Sequence, residues 1–341
     1  MKVALTYNLK PAGLGEPTTT RDDTYAEWDE PDTIEAVRQA LATEHEVVLI
    51  EGHERIEERL LAVWPAIVFN LAEGWKGPHR EASIPALLES WGIPFTGSSS
   101  RTLRLCLDKA ATKRVLHRHG LATPAYTVMH DPDQVGRVDP TFPLIVKPLY
   151  EGSSKGIYGE SVVASRDALQ AQVRRVIDTY EQPALVESFL PGREFTVALL
   201  GNTPQVQALP LVEICFAALH AGATPVYSYE AKWLWDTPAS PLDIFRCPAD
   251  IAPTLEHTIV EMCQRAFRVL ACRDWCRIDV RLDTDGQPHI LEMNPLPVIL
   301  PSPENHSCFP QAAAVAGIAY PDLIRRVFHL ASQRSGLTVA L

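Results

Sequence analysis

The chain has 341 residues, 46% of them hydrophobic, and a net charge of −11 at pH 7. That length exceeds the ~100–200 residues of one domain, and the apolar share is that of an ordinary globular protein. No basic stripe exists to neutralise a phosphate backbone, which excludes a nucleic-acid partner but not a small anion in a local basic cleft. No apolar run is long enough to span a membrane. The seven cysteines are scattered, without matching pairs for zinc, and read as reduced, mostly buried thiols of a cytoplasmic protein. The chain opens directly on a strand, with no basic-then-apolar signal segment.

Taken in order, residues 2–7 predict a buried strand, followed by a loop rich in Pro, Gly and Thr over 8–20 and an acidic stretch over 22–32. A helix over 33–42 and strands over 46–50 and 66–70 follow. Strands alternating with helices predict a parallel sheet whose ligands sit at strand carboxyl ends, as in the loop 70–74. A helix over 81–91 leads to the end of a first unit near Cys106. A helix over 108–119 carries Lys109, Lys113 and Arg114, and a strand over 143–148 ends in Lys147. Directly after it comes EGSSKGI, residues 151–157. Small residues let backbone N–H groups approach an anion, and a lysine at the strand end favours phosphate over a plain turn. Neither GxxxxGK[ST] nor GxGxxG is present. A helix over 168–180, strands over 184–187 and 195–200, an aromatic run YSYEAKWLW around Lys232, and a helix over 254–270 complete this part.

Residues 277–295, RIDVRLDTDGQPHILEMNP, read as a β-hairpin. Centring the turn on Asp285-Gly286 opposes Asp279 to Glu292 and Arg277 to Asn294 on one face, with Ile278/Met293 and Val280/Leu291 on the other. Two opposed carboxylates repel unless a cation lies between them, and an oxygen-ligated Mg²⁺ with Asn294 as third ligand fits. A solvated acidic pair is the alternative, and a bulge or another turn length would shift the register.

In this order, GIPFTGSSS with LDKAATK, IVKPLYEGSSKG, LVESFLPGREFTVALLG, YSYEAKW and WCRIDVRLDTDGQPHILEMNPLP resemble the ATP-grasp superfamily, and within it the D-alanine–D-alanine ligases, over nearly the whole chain. The resemblance implies an α/β, three-domain ATP-grasp fold, divided here as 1–106, 107–190 and 191–341, with ATP between two domains that contain antiparallel sheet. It implies that Lys109 and Lys147 hold ATP phosphates under a closing loop containing Ser153 and Ser154. Glu187 and Leu190 meet the adenine edge, Glu194 the ribose, and Lys232 the γ-phosphate. Asp279, Glu292 and Asn294 bind two Mg²⁺ ions, with Mn²⁺ able to substitute. Arg277 steadies the oxyanion of the tetrahedral intermediate, and Glu27 meets the first substrate's ammonium group; an exposed carboxylate before a helix is the other reading of Glu27. The implied reaction joins a carboxylate and an amine of amino-acid-like substrates through an acyl phosphate, and the implied assembly is a homodimer.

The sequence also departs from that pattern. Trp233 replaces the usual tyrosine after the EAK lysine and lacks its hydroxyl, and Val298 replaces a glycine. The loop before the expected carboxylate-binding Ser307 is longer and adds Glu304 and His306, and NLAEGWKGPHREA replaces HGxxGEDG. These positions shape the amino-acid pockets. The readings that remain are a ligase for another amino-acid pair, a cell-wall D-alanine–D-alanine ligase, and a nucleotide-binding module without catalysis.

Overall fold

Continuous apolar runs, buried on both faces, set up the first of three sheets. In the computed structural model, which describes residues 1–11, 23–53, 55–236, 240–302 and 307–337, β1 (Lys2–Tyr7), β2 (Glu46–Glu51) and β3 (Ile67–Asn70) pair in parallel in the order β2-β1-β3. Successive side chains of a strand point to opposite faces. Val3 and Leu5 therefore join one core with Ile34 and Val37 of α1 (Pro31–Ala42). Ala4 joins another with Leu60 of α2 (Ile56–Val63) and Leu88 of α3 (Ser83–Trp91). A 3₁₀ turn, Arg80–Ala82, leads into α3, so the helix expected from residue 81 starts two residues later. α4 (Ser100–Leu107) and α5 (Lys109–Arg118) are each capped by a side chain, Ser99 accepting from Thr102 N–H and Asp108 from Ala111 N–H.

The second sheet is antiparallel and 4-stranded, in the order β4-β7-β5-β6, from β4 (Tyr126–Met129), β5 (Leu144–Pro148), β6 (Val162–Val163) and β7 (Ala184–Ser188). It is backed by α6 (Arg166–Tyr180), whose Leu169, Val173 and Val176 meet Val146 and Val186. The third sheet is 6-stranded, in the order β11-β10-β8-β12-β13 with β9 beside β8. Its strands are β8 (Glu194–Asn202), β9 (Gln205–Ala208), β10 (Val212–Ile214), β11 (Phe245–Arg246), β12 (Asp274–Leu282) and β13 (Pro288–Asn294). α7 (Pro253–Val269) covers one face of this sheet. α8 (Cys308–Val315) and α9 (Tyr320–Arg334) cover the other and join the core of β1 and α1.

The hairpin of β12 and β13 keeps its expected pairs where they matter and loses one where they do not. Arg277 faces Asn294, Ile278 faces Met293 and Asp279 faces Glu292. Val280, however, faces Ile290, not Leu291. The connection is the longer loop 283–287, closed by Asp283 accepting from the backbone N–H groups of Asp285 and Gln287, so Asp285-Gly286 is not a two-residue turn. A register shift after Asp279 compensates for that longer loop. Ile290 thereby enters the core while Leu291 turns to a cavity on the opposite side.

Asp274 ties the first unit to the last. Fully buried, it accepts from Gly97 N–H at 2.8 Å, Asn202 Nδ2 at 2.8 Å and Arg334 Nη2 at 2.9 Å. Beside it Trp275 packs edge-on against Phe69 and Phe309, each with centroids 5.9 Å away. Removing one partner of such a buried pair strands the others, so Asp274→Ala should lower stability by about 3 kcal/mol. A denaturation midpoint unchanged from wild type would show the node to be dispensable.

Candidate active site

A cavity of about 560 Å³ opens between the second and third sheets, and most of the expected residues line it. Lys147 from β5, Glu187 from β7 and Leu190 just beyond it form one wall, with Ser153 and Ser154 of the intervening loop above. Glu194 of β8, Arg277 and Asp279 of β12 and Glu292 of β13 form the other. Lys232, Trp233, Val298 and Ser307 close one end. Glu27 and Asn294 instead line a smaller adjoining cavity of about 30 Å³, and Lys109 lies behind Glu292 at 2.7 Å. Glu304 and His306 lie outside the described residues.

The end lined by Ile145, Phe189, Leu190 and Leu291 is apolar, as the face of a flat heterocycle requires. The Glu187 carboxylate does not present an edge there. It is 1% exposed and held by Lys113 at 2.6 Å and Lys147 at 2.7 Å. Burial by itself would raise its pKa, but the two ammonium groups outweigh that and hold it at about 2. Its effect is to fix Lys147 in the cavity. Glu194 meets Arg281 at 2.9 Å, and the Arg281 guanidinium is sandwiched between Phe189 and Phe216 at 4.8 and 4.7 Å. Sequence reasoning passed over Arg281 and gave Lys113 no role. Period-2 spacing on β12, which puts Arg277, Asp279 and Arg281 on one face, was the available signal for the first.

At the polar end Arg277 grips Asp279 through two bonds of 3.0 Å, and Asn294 Nδ2 donates to the same carboxylate at 3.1 Å. Asp279 and Glu292 are thus each paired with a cation, not solvated as a free acidic pair. Among the described residues no group of three or more His, Cys, Asp or Glu could hold a metal. The chain supplies two carboxylates and the amide oxygen of Asn294, a hard-oxygen set that fits Mg²⁺ with phosphate oxygens and water as further ligands. Burial, followed by the nearby Arg277, lowers the Lys232 pKa to about 8.

The loop 151–157 is tied down on both sides. Gly152 N–H donates to Glu27 at 2.9 Å and Gly156 N–H to Asp23 at 3.2 Å. Ser154 Oγ donates to the Tyr227 carbonyl at 2.8 Å, and Tyr229 N–H to that of Ile157 at 2.7 Å. Trp233, expected to lack the closing hydrogen bond of a tyrosine, supplies another: its indole N–H donates to the Ser153 carbonyl at 3.1 Å. Ser153 and Ser154 have φ of 49° and 62°, left-handed values uncommon outside glycine that cluster at ligand clamps. The Ser307 hydroxyl donates to the Val298 carbonyl at 3.1 Å at the start of α8.

Glu27 is not the exposed carboxylate of the alternative reading. Arg80 binds both its oxygens, at 2.7 and 2.8 Å, and Lys155 stands at 3.5 Å. Burial opposes ionisation, but Arg80 and Lys155 overcome it and hold the carboxyl at about 2. Arg80 lies 53 residues away in the chain, and nothing in the local sequence marks the pair.

A family model described as the D-alanine–D-alanine ligase C-terminus matches residues 115–329. The chain is 34% identical over 346 residues to an uncharacterized protein, y4sG, of Sinorhizobium fredii, covering 98% of each. It is 35% identical over 255 residues to the D-alanine–D-alanine ligase of Cupriavidus metallidurans, covering 74% of this chain and 72% of that one. A crystal structure of the Bacillus anthracis D-alanine–D-alanine ligase with ATP is similar in fold, with a TM-score of 0.72, 20% identity and 98% and 99% of the two chains covered. The fold is three-domain ATP-grasp, and the protein is an ATP-dependent, ADP-forming ligase. The chain belongs to the D-alanine–D-alanine ligase family.

Loop closure can be tested at two contacts. A Cβ on Gly152 would stand 2.5 Å from a Glu27 carboxylate oxygen, and Trp233→Phe removes the indole donor. One lost hydrogen bond of ~1 kcal/mol corresponds to about fivefold. Gly152→Ala and Trp233→Phe should therefore each speed limited proteolysis within 151–157 by about that factor; unchanged cleavage would mean neither contact holds the loop.

Proposed function

We propose that this protein joins the carboxylate of one amino acid to the amine of another, and that the pair is not two molecules of D-alanine. The observation that carries the ligase reading is the convergence of Lys147, Lys232 and Arg277 with Asp279 and Glu292 in one cavity beneath the 151–157 loop. A carboxylate is a poor electrophile, and transfer of the γ-phosphoryl of ATP makes it an acyl phosphate. Asp279, Glu292 and Asn294 would hold divalent metal, read as two Mg²⁺ ions or Mn²⁺ in their place, which would spread the charge of that transfer. Lys147 and Lys232 orient the phosphates, Ser153 and Ser154 cover them, and Leu190 and Glu194 take the base and ribose. Arg277 steadies the oxyanion when the amine attacks the acyl carbon, and the tied loop keeps water from the reactive intermediate.

The substrate reading is supported by Trp233 and Val298, both lining the cavity end next to Arg277 and Ser307. Both are larger than the residues of the pattern the chain otherwise follows, and both narrow the place of the second amino acid. The domain limits 1–106, 107–190 and 191–341 are read in the same way, since each contains the strands of one sheet. The reading also includes amino-acid-like partners, a cytoplasmic location and assembly as a homodimer.

The test is an ADP-release screen over D- and L-amino acids, singly and in pairs, with mass spectrometry of products. Some pair should exceed D-alanine alone in kcat/KM; if D-alanine alone is best, the cell-wall ligase reading replaces this one. The low pKa of Lys232 makes a second prediction. The ammonium form prevails below about pH 8 and is lost above it, so charge available to a phosphate falls as pH rises. ATP affinity should drop about tenfold between pH 7 and 9 by proton linkage, with proton uptake on binding. Calorimetry in buffers of different ionisation enthalpy would show this, and Lys232→Met should abolish it.

A further inference from the structure

The smaller cavity beside Arg277 is lined by four glutamates, and they are not equivalent. Glu27 is neutralised by Arg80 and Lys155, and Glu292 by Lys109. Glu73 and Glu81 face the same space without such partners. Glu73 is only 8% exposed, yet among the described residues it makes no hydrogen bond and no ion pair. The fold holds it there. It follows β3 at the carboxyl end of the first sheet, with Leu71 N–H bonded to the Thr6 carbonyl at 2.8 Å and Gly74 N–H to Asn8 Oδ1 at 2.9 Å. Gly74 has φ of 78°, and a Cβ on it would run into the Arg80 carbonyl, so the chain on either side of this carboxylate is fixed.

A buried carboxylate without a partner is costly unless a cation completes it. Burial first, and then Glu81 and Glu27, raise the Glu73 pKa; burial, partly offset by Arg80, raises that of Glu81 to about 7. A cation in this space would relieve both. The volume of about 30 Å³ decides its size. A water-sized group needs ~10–15 Å³, so an ammonium head fits and a bulky cationic side chain does not. The cavity shares Ser153, Arg277, Glu292 and Val298 with the large one. A molecule with its carboxylate beside Arg277 can therefore place an amine here.

We propose that Glu73, flanked by Glu81, binds the ammonium group of the acyl-donor amino acid, and that Glu27 instead latches the 151–157 loop. This rests on the reading that an amino acid is the acyl donor. Each amino acid of the ADP-release screen is therefore paired with its α-hydroxy acid, D-alanine with D-lactate among them, at saturating ATP and Mg²⁺. Wild-type protein should prefer the amino acid in KM by about 10–100-fold, the worth of a hydrogen bond to a charged group. E73Q should erase most of that preference with KM for ATP unchanged, and E73D should keep it. E27Q should slow both members of a pair alike. A preference that survives E73Q, with or without a general loss of activity, or one that vanishes in E27Q instead, overturns the assignment. On wild-type protein, methylammonium chloride should compete with the amino acid and not with ATP; no competition counts equally against it. Should no amino acid release ADP, it is the ligase reading beneath this proposal that fails.

Discussion

Charge taken out of water must meet opposite charge, and this constraint organises the cleft. Transfer of an unpaired ion into a protein interior costs several kcal/mol even after relaxation. Here five internal pairs meet that demand: Glu187 with both Lys113 and Lys147, Glu292 with Lys109, Asp279 with Arg277, and Glu194 with Arg281. The pairs draw on the second and third sheets and on α5, so the cleft is also where these parts of the chain are electrostatically joined. The Glu187 pairs are the most deeply buried of the set, with Glu187 and Lys113 each 1% exposed. Side chains held in such pairs have little freedom left to lose, which limits the ordering cost of binding.

How much of this was legible varied with the range of the interaction. Strand and helix positions follow from periodicity and capping, and the structure moves most of them by only a residue or two. The facing of Asp279 and Glu292 was readable from hairpin register, yet for an incomplete reason. A longer loop and a bulge cancel, and one without the other would have reversed the result. A strand's pattern does not reveal a bulge, because the extra residue, Leu291, is as apolar as a core residue would be. Trp233 shows a different limit. Its type suggested a lost hydrogen bond, but its indole N–H donates to the loop carbonyl of Ser153.

Long-range ion pairs were not legible. Glu27 and Arg80, Lys113 and Glu187, and Arg281 and Glu194 are brought together by topology, and each residue alone resembles a surface charge. The unpaired Glu73 is still less visible, since its meaning lies in the absence of a neighbour. The cavity lined by Lys147, Lys232, Arg277, Asp279 and Glu292 was better marked, because short ordered segments carried those residues together.

The closing helix α9 has a consequence for biosynthesis. Its Val327 and Phe328 share a core with Val3 and Leu5 of β1, and its Arg334 reaches the Phe95 carbonyl as well as Asp274. The core that α1 begins to close over β1 is therefore left open on its far side while the intervening residues are translated, and is sealed only when 320–334 leave the ribosome. A nascent chain of this kind exposes hydrophobic surface for most of its synthesis, the condition under which chaperones engage and premature association competes with folding.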